Sequence, residues 1–197
     1  MEKLQSYLTL FKKHHFINVP YKNLQAYYSW HKGLGVSPTR FYKKIVRHRR
    51  GGWCFETNQL FNTVLLSLGF DVILAGSRVF KPCNGRFGGL VHYINIIKIG
   101  GVYYLLDVGF GGYGPPQPFR RGPGKEWQPI CCFNSDFKFL PENIEILNTH
   151  GISRTCFALR KLLLQRFTIS NKPLIAPGKT NIKDIMDGEL DGSIVLY

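Results

Sequence analysis

The sequence predicts an α+β fold in which an N-terminal helical bundle is followed by an antiparallel β-barrel. Two observations predict it. Apolar residues recur at helical spacing over residues 1 to about 69, where Gly69 ends the last helix. From Phe70 onward, short runs of β-branched and aromatic residues alternate with Gly and Pro, which is typical of antiparallel strands joined by turns.

Two amphipathic stripes predict the main helices of the N-terminal part. Both follow the helical spacing i, i+3, i+4, i+7, and they comprise Leu4, Tyr7, Leu8 and Phe11 in the first helix and Phe61, Val64, Leu65 and Leu68 in the second. Pro and Gly mark loops between the two helices. Ser37 or Thr39 could cap a further helix over residues 41–47.

The β-rich part contains six candidate strands, at residues 72–74, 91–99, 102–108, 137–140, 162–169 and 194–197. The pair Gly100-Gly101 separates the second candidate from the third and is typical of a two-residue hairpin turn. Pairing across that turn sets His92 opposite Gly109 and places Asp107 diagonally across from His92 on the same face. Diagonal neighbours are within reach of each other's side chains, so we expect the histidine and the aspartate to meet.

The composition is that of a globular protein. A chain of 197 residues with 44% hydrophobic and 19% charged residues is not a disordered one, and no apolar run is long enough to cross a bilayer. The first residues lack the basic-then-apolar layout of a signal peptide, so we expect a cytoplasmic location and no membrane partner. The five cysteines include no Cys-x-x-Cys pair, so neither a metal site nor a disulfide framework is expected.

The net charge of +14 indicates either a nucleic-acid partner or an acidic ligand. The densest basic cluster comprises Lys43, Lys44, Arg47, Arg49 and Arg50, just before Cys54. No RNA-binding aromatic motif, zinc finger or basic zipper accompanies it, so we expect no nucleic acid and regard a solvated helix face as the simpler interpretation. Basic residues beside a thiol also suit a polyanionic substrate such as a coenzyme A thioester, and they favour the thiolate.

Cys54 is the strongest candidate for a nucleophile. It follows Gly51, Gly52 and Trp53 and opens the predicted helix 54–68. Free backbone N–H groups and the helix dipole favour an anion at that end of a helix. The glycines let a ligand approach the backbone closely. For the other four cysteines we expect buried structural roles.

A cysteine, a histidine and a carboxylate, in that order along the chain, are the parts of an activated thiol. The thiolate attacks, the imidazole takes its proton, and the carboxylate orients the imidazole. Asp107 lies between Leu106 and Val108 in an apolar strand, and a buried carboxylate needs a partner. We therefore predict Cys54, His92 and Asp107 as catalytic residues.

The motifs around these three residues resemble those of the arylamine N-acetyltransferase family. The segment Arg50-Gly51-Gly52-Trp53-Cys54-Phe55-Glu56 matches the family's nucleophile motif almost letter for letter. Val91-His92 and Asp107-Val108-Gly109-Phe110-Gly111 match its histidine and aspartate motifs, and Pro20-Tyr21-Lys22-Asn23-Leu24 is similar to its upstream signature. The resemblance covers about residues 10–120 and is greatest to the fungal branch.

The resemblance implies three domains: residues 1–69 as a helical domain carrying the cysteine, 70–178 as a β-barrel domain carrying the histidine and aspartate, and 179–197 as the start of a C-terminal α/β lid. It implies ping-pong transfer of acetyl from acetyl-coenzyme A to the cysteine and then to an arylamine or hydrazine. No metal takes part in that reaction. Residues just before the family's histidine bind both substrates, which implies Gly88 and Gly89 for the coenzyme and Val91 for the acceptor.

Three features depart from the family's pattern. Lys22 replaces an acidic residue, which reverses a charge near the helical core. The chain is also expected to be truncated at both ends, without most of the family's first helix and most of the lid. Because the lid shapes the acceptor pocket, the alternative is an inactive relative that binds acyl-coenzyme A or partners without turnover. A thiol hydrolase with the same order of residues is less favoured, because the sequence around Cys54 and Asp107 does not suit it.

Overall fold

A computed structural model of the protein describes residues 2–29, 35–81, 84–111, 131–138 and 163–166, together with Asn143. Within the described residues up to Ser67 there are four α-helices: α1 (Glu2–Asn18), α2 (Leu24–Ser29), α3 (Pro38–Phe41) and α4 (Cys54–Ser67). The helix α3 continues as a π-helical segment, Tyr42–Arg47. The strands are β1 (Tyr21–Lys22), β2 (Val72–Lys81), β3 (Arg86–Ile99), β4 (Val102–Leu106), β5 (Cys131–Lys138) and β6 (Leu164–Gln165).

Four of the strands form an antiparallel sheet in the order β4-β3-β2-β5. The hairpin β3–β4 has the predicted register, from Asn95 opposite Leu106 to Ile99 opposite Val102. Its turn, Gly100-Gly101, has φ values of 56° and 81°, which glycine adopts without strain and which a tight hairpin turn requires. The register that places His92 and Asp107 on one face is therefore confirmed.

The other predicted elements agree with the structure to differing degrees. The helix predicted over 54–68 is confirmed as α4, and Ser37 does precede α3, although its side chain makes no capping hydrogen bond. The strand predicted over 137–140 begins too late, because β5 spans Cys131–Lys138, and residues 139–140 lie outside the described residues. The strand predicted over 162–169 is seen as the short β6, and the one predicted over 194–197 lies outside the described residues.

The apolar stripe predicted for α1 is wrong. Of its four members only Leu8 is buried, while Leu4, Tyr7 and Phe11 are exposed. The buried face of α1 instead carries Leu8, Lys12 and Phe16, which recur every four residues and so lie on one side of the helix. A lysine therefore occupies a core position that the apolar pattern could not identify.

The main apolar cluster joins α1 and α4 to the sheet. Leu8 of α1 packs there with residues of α4, β2, β3 and β4, namely Phe61, Leu65, Val72, Ile97, Ile99, Tyr104 and Leu106, and with Val108 after β4. A second cluster contains Cys54 and its neighbours Trp53 and Phe55, together with Ala26, Leu74 and Tyr93. The start of α4 is thus held against the sheet by contacts on both of its flanks.

The mixed α/β fold is confirmed. The predicted β-barrel corresponds in the described residues to an open four-stranded antiparallel sheet. Closure of a barrel, the bundling of the helices and the domain boundaries at 69 and 178 remain predictions, and the predicted lid, 179–197, lies outside the described residues. No helix in the described ranges is both long enough and apolar enough to cross a membrane.

His15 makes the stability of the fold sensitive to acid. Its ring packs edge-on against Phe61 at a centroid distance of 5.5 Å, and its buried Nε2 has no hydrogen-bond partner among the described residues. Burial lowers the pKa of His15 from 6.5 to about 4. As the pH falls, the unfolded chain therefore binds a proton at His15 before the folded chain does. This difference lowers the free energy of unfolding as the pH falls from about 6.5 towards 4.

We expect the change His15→Leu to remove part of this acid sensitivity. In the wild-type protein, the buried histidine should lower the free energy of unfolding by about 2 kcal/mol when the pH falls from 7.5 to 5.0. Urea unfolding of both proteins at the two pH values measures this difference. The exposed neighbour His14 provides the matched control. If His14→Leu and His15→Leu change the pH dependence equally, His15 is not the group responsible.

Candidate active site

His92 and Asp107 form a buried, hydrogen-bonded pair. Nε2 of His92 lies 2.7 Å from Oδ2 of Asp107, and the two side chains are 4% and 3% exposed. Strand β3 supplies the histidine, and the aspartate directly follows β4, so the hairpin brings them together. The ring of His92 also packs edge-on against Phe110 at 4.9 Å, which limits its rotation.

The second carboxylate oxygen of Asp107 is held by two donors. Oδ1 accepts from Asn58 Nδ2 at 2.9 Å and from the Gly109 N–H at 2.8 Å. Burial by itself would raise the pKa of Asp107, but the charge and hydrogen bond of His92, with those two donors, hold the pKa below its ordinary value. Asp107 is therefore an ionised acceptor at neutral pH, with Oδ2 directed at the imidazole.

Asn58 connects α4 to both strands of the hairpin. Besides Asp107, its Nδ2 donates to the carbonyl of Tyr93 at 2.7 Å, and its Oδ1 accepts from the Val108 N–H at 2.9 Å. Its own carbonyl accepts from Asn95 Nδ2 at 3.1 Å. The position of Asn58 relative to Cys54 is a signal that the sequence already contains. One helical turn separates it from Cys54, so both lie on the same face of α4.

We expect Asn58→Ala to weaken both the fold and the site. The change leaves the Val108 N–H and the Tyr93 carbonyl buried without this partner, and each such group costs about 1–3 kcal/mol. Thermal unfolding should therefore show a lower Tm, and the remaining activity should fall because Asp107 loses one of its anchors. Asn62→Ala, which removes one side-chain hydrogen bond to Asn95 from the next turn of α4, is the control. Equal losses of activity in both variants would contradict an anchoring role for Asn58.

Gly109 brings the aspartate loop directly against the cysteine. A Cβ at this position would lie 2.7 Å from Cys54 Cα, 2.7 Å from Asn58 Nδ2 and 2.8 Å from Thr57 Oγ1. Real Cβ atoms do not come so close, so only glycine lets the chain after Asp107 pass over the first turn of α4. This contact packs the chain two residues after Asp107 against the start of α4, where Cys54 lies.

Cys54 is the first residue of α4 and is 8% exposed. Glu56 stabilises this helix end, since its Oε2 accepts from the Trp53 N–H at 3.2 Å, one half of a capping box. The hydroxyl of Thr57 donates back to the Trp53 carbonyl at 3.0 Å. The thiol therefore lies at a fixed helix N-terminus, where the dipole favours an anion.

The basic cluster contributes to the same helix end. Lys44 Nζ lies 2.6 Å from both carboxylate oxygens of Glu56, in a nearly buried ion pair. Lys22 is joined to the segment before Cys54, since its N–H donates to the Gly52 carbonyl at 2.9 Å. Burial first, and then the charges of Arg50 and Lys44, lower the pKa of Lys22. The predicted charge reversal thus places a second cation, Lys22, within electrostatic reach of the Glu56 carboxylate that Lys44 pairs with.

Tyr93 fixes the opposite side of the cysteine. Its hydroxyl donates to the Phe55 carbonyl at 2.8 Å, and its ring packs edge-on against Phe55 at 4.8 Å. Burial and then the negative charges of Cys54 and Glu56 raise the pKa of Tyr93 well above 10. Tyr93 therefore stays a neutral donor and supports the first turn of α4.

Gly88, Gly89 and Val91, for which substrate-binding roles are predicted, lie on β3. A Cβ at Gly89 would meet nothing within 4 Å, so its surface is open, whereas one at Gly88 would lie 3.0 Å from Lys81 Cε. The β2–β3 register shifts beside Val91, between the pairs Ser77–His92 and Arg78–Leu90. Such a bulge redirects side chains, here immediately before His92.

The described residues contain no group of three or more His, Cys, Asp or Glu side chains that could hold a metal ion. Cys131 and Cys132 lie on β5, and burial raises the pKa of Cys131. Both side chains are only half-buried, so the buried role expected for these two cysteines is wrong, and Cys83 and Cys156 lie outside the described residues. The raised pKa makes Cys131 a poor nucleophile.

Comparison with known proteins shows which family this chain belongs to. A family model described as N-acetyltransferase matches residues 3–156. The N-malonyltransferase FDB2 of Gibberella moniliformis is 35% identical to this chain, in an alignment that covers 69% of this chain and 55% of the relative. The arylamine N-acetyltransferase liver isozyme of Gallus gallus is 30% identical over 147 residues, which cover 74% of this chain and 47% of the relative. The chain thus spans about half the length of these relatives.

The fold has counterparts among solved structures. The arylamine N-acetyltransferase of Salmonella typhimurium superposes with a TM-score of 0.75 at 21% identity, over 84% of this chain and 69% of the other. That of Bacillus cereus, described as having a unique Cys-His-Glu catalytic triad, gives a TM-score of 0.74 at 20% identity, over 83% of this chain and 75% of the other. With the family model matching well over half of its residues, the chain belongs to the arylamine N-acetyltransferase family.

Proposed function

We propose that the protein is an acetyl-coenzyme A-dependent arylamine N-acetyltransferase that works through an acetyl-cysteine on Cys54. His92 acts as the general base and Asp107 orients it. The observation that carries this proposal is the 2.7 Å His92–Asp107 hydrogen bond beside the start of α4, where Gly109 packs directly against Cys54.

The reaction has two half-steps. The Cys54 thiol gives its proton to His92, and the thiolate attacks the carbonyl carbon of the acetyl thioester. The bond to the coenzyme sulfur breaks, and the departing thiolate recovers the proton from His92. In the second half-step the acceptor amine attacks the acetyl-cysteine. His92 takes a proton from the nitrogen and returns it to the Cys54 sulfur as the amide is released.

Three features of the site support acyl transfer through a thiolate. The helix N-terminus and the cations around Glu56 favour a negative charge on Cys54. Asp107 is ionised and accepts from His92 through Oδ2, which stabilises the imidazolium. The open surface over Gly89, with Lys81 beside Gly88, is where we propose that the coenzyme binds, since a lysine suits its phosphates. We propose Val91, one residue before the histidine, as an acceptor contact.

A malonyl donor is a second candidate. Two relatives are N-malonyltransferases: that of Gibberella moniliformis is 35% identical to this chain and that of Fusarium pseudograminearum is 34% identical. The same thiolate would attack either thioester, and the net charge of +14 suits a donor with an additional carboxylate. Acyl-donor choice is therefore tested together with the reaction itself.

The test is intact-mass analysis of the full chain after exposure to acetyl-coenzyme A or to malonyl-coenzyme A. We expect one acyl adduct with the preferred donor, mapped to Cys54 by peptide analysis, and release of that adduct as an amide on addition of an arylamine or hydrazine. If the protein is folded but forms an acyl adduct with neither donor, the alternative is favoured: an inactive relative that binds acyl-coenzyme A or partners without turnover.

A further inference from the structure

Lys12 is a fully buried cation next to the proposed triad. Its exposure is 0%, although lysine is almost never fully buried unless its charge is compensated. It lies one helical turn after Leu8, and Leu8 packs in the same cluster as Leu106 and Val108, the two neighbours of Asp107. This face of α1 therefore directs Lys12 towards the loop that carries the aspartate. The Lys12 Nζ also lies 5.7 Å above the ring of Phe16.

The electrostatics agree with this placement. Burial lowers the pKa of Lys12 from 10.5 to about 8, and the negative charge of Asp107 offsets part of that effect. Lys12 therefore keeps its proton at neutral pH. The charge that acts on Lys12 is that of Asp107, after β4. On α1 itself, the titratable residue His15 lies three positions after Lys12. Burial lowers the pKa of His15 to about 4, so this histidine carries no compensating charge.

The proposed triad needs such a cation. With Asp107 ionised, it carries one net negative charge both before and after Cys54 transfers its proton to His92. The residues Cys54, His92 and Asp107 are only 8%, 3% and 2% exposed, and an uncompensated charge in such a place is costly.

We propose that Lys12 is the counter-charge of the ionised triad and sets the pH at which Cys54 becomes a thiolate. It is a positioning residue that acts through Asp107 and does not touch the substrate. This inference rests on the proposed function, because it requires that Cys54 and His92 ionise together. Without the cation, loss of the first proton from the triad is less favourable, so the thiolate forms only at higher pH.

The test is the pH dependence of Cys54 alkylation by iodoacetamide, measured on the full chain by peptide mass spectrometry. The rate of alkylation rises with pH as the thiolate forms, and this rising part of the profile is its acidic limb. We expect Lys12→Met to move the acidic limb to higher pH by about half to one unit, the order of effect of one nearby charge at an effective dielectric of about 20. At a fixed pH on that limb, alkylation then slows about 3- to 10-fold. Lys12→Arg, which keeps the charge, should restore the position of the limb.

The exposed neighbour Lys13 provides the matched control, since Lys13→Met removes the same charge from the surface. An unchanged limb in Lys12→Met, or equal shifts in Lys12→Met and Lys13→Met, would overturn the inference. If Lys12→Met does not fold by circular dichroism, Lys12→Gln gives the same comparison. An ordinary thiol profile in the wild-type protein, with a pKa near 8.5, would instead contradict the proposed function. The two failures are therefore distinguishable.

Discussion

The variant Cys54→Ser is expected to lose acyl transfer by about 10⁴-fold or more while keeping its fold, the order of loss seen when a triad nucleophile is removed. The oxygen is smaller than sulfur and fits the same buried position at the start of α4. A serine hydroxyl ionises at far higher pH than a thiol, so a helix N-terminus and one imidazole that suffice for a thiolate do not produce an alkoxide. Neither acyl adduct nor amide product should accumulate.

The measurement is kcat/KM for amide formation, together with intact mass after exposure to the acyl donor. Cys132→Ser is the control, because Cys132 lies on β5 and not at the start of α4, and it should keep near wild-type turnover. Thermal unfolding should show similar Tm values for both variants. An adduct that persists in Cys54→Ser and maps to another residue would show that the nucleophile is misassigned.

The contact between His92 and Asp107 could be predicted because it depends on local geometry. A two-residue glycine turn sets the register of a hairpin, and the period of two residues then decides which side chains share a face. No long-range contact enters that argument. The start of α4 was predictable for a similar reason, since the apolar period of 3.6 residues begins directly after the Gly51-Gly52 pair.

The buried face of α1 could not be predicted in the same way. The apolar pattern favoured Tyr7 and Phe11, yet both are exposed, while Lys12 is buried. Which face of a helix turns inward is decided by the surfaces it meets, here α4 and the strand end at Leu106. The carboxylate whose charge acts on this buried lysine lies 95 positions later in the sequence, at Asp107, and such a pair leaves no periodic signal.

The anchoring of Asp107 depends on contacts of the same long-range kind. Asn58 reaches Asp107 and Val108 across 49 and 50 positions of sequence. Its distance of one turn from Cys54 indicates a shared helix face, but not which strand that face meets. The close packing at Gly109 likewise follows only once α4 and the aspartate loop are brought together. Hydrogen-bond partners of a site are set by tertiary packing, whereas its reactive residues follow from local motifs.

The variant Asp107→Asn is expected to be folded and nearly inactive, with a loss of kcat near the 10⁴-fold that the same change causes in a serine-protease triad. The structure gives a specific reason. The Asn58 amide and the Gly109 N–H both donate to Oδ1, so an asparagine must keep its carbonyl oxygen there.

The amide NH₂ of that asparagine then takes the place of Oδ2 and donates to Nε2 of His92. The imidazole is held with its proton on Nδ1, the tautomer in which the nitrogen that should accept the thiol proton is already occupied. The imidazolium also loses the negative charge that stabilises it.

The measurements are kcat and the pH profile of Cys54 alkylation. The acidic limb of that profile, which marks a thiolate–imidazolium pair, should disappear. Asp71→Asn makes the same charge change at an exposed site and should leave both unchanged. A loss below about tenfold in Asp107→Asn would make Asp107 structural, because positioned general acids and bases contribute about 10²–10⁴-fold.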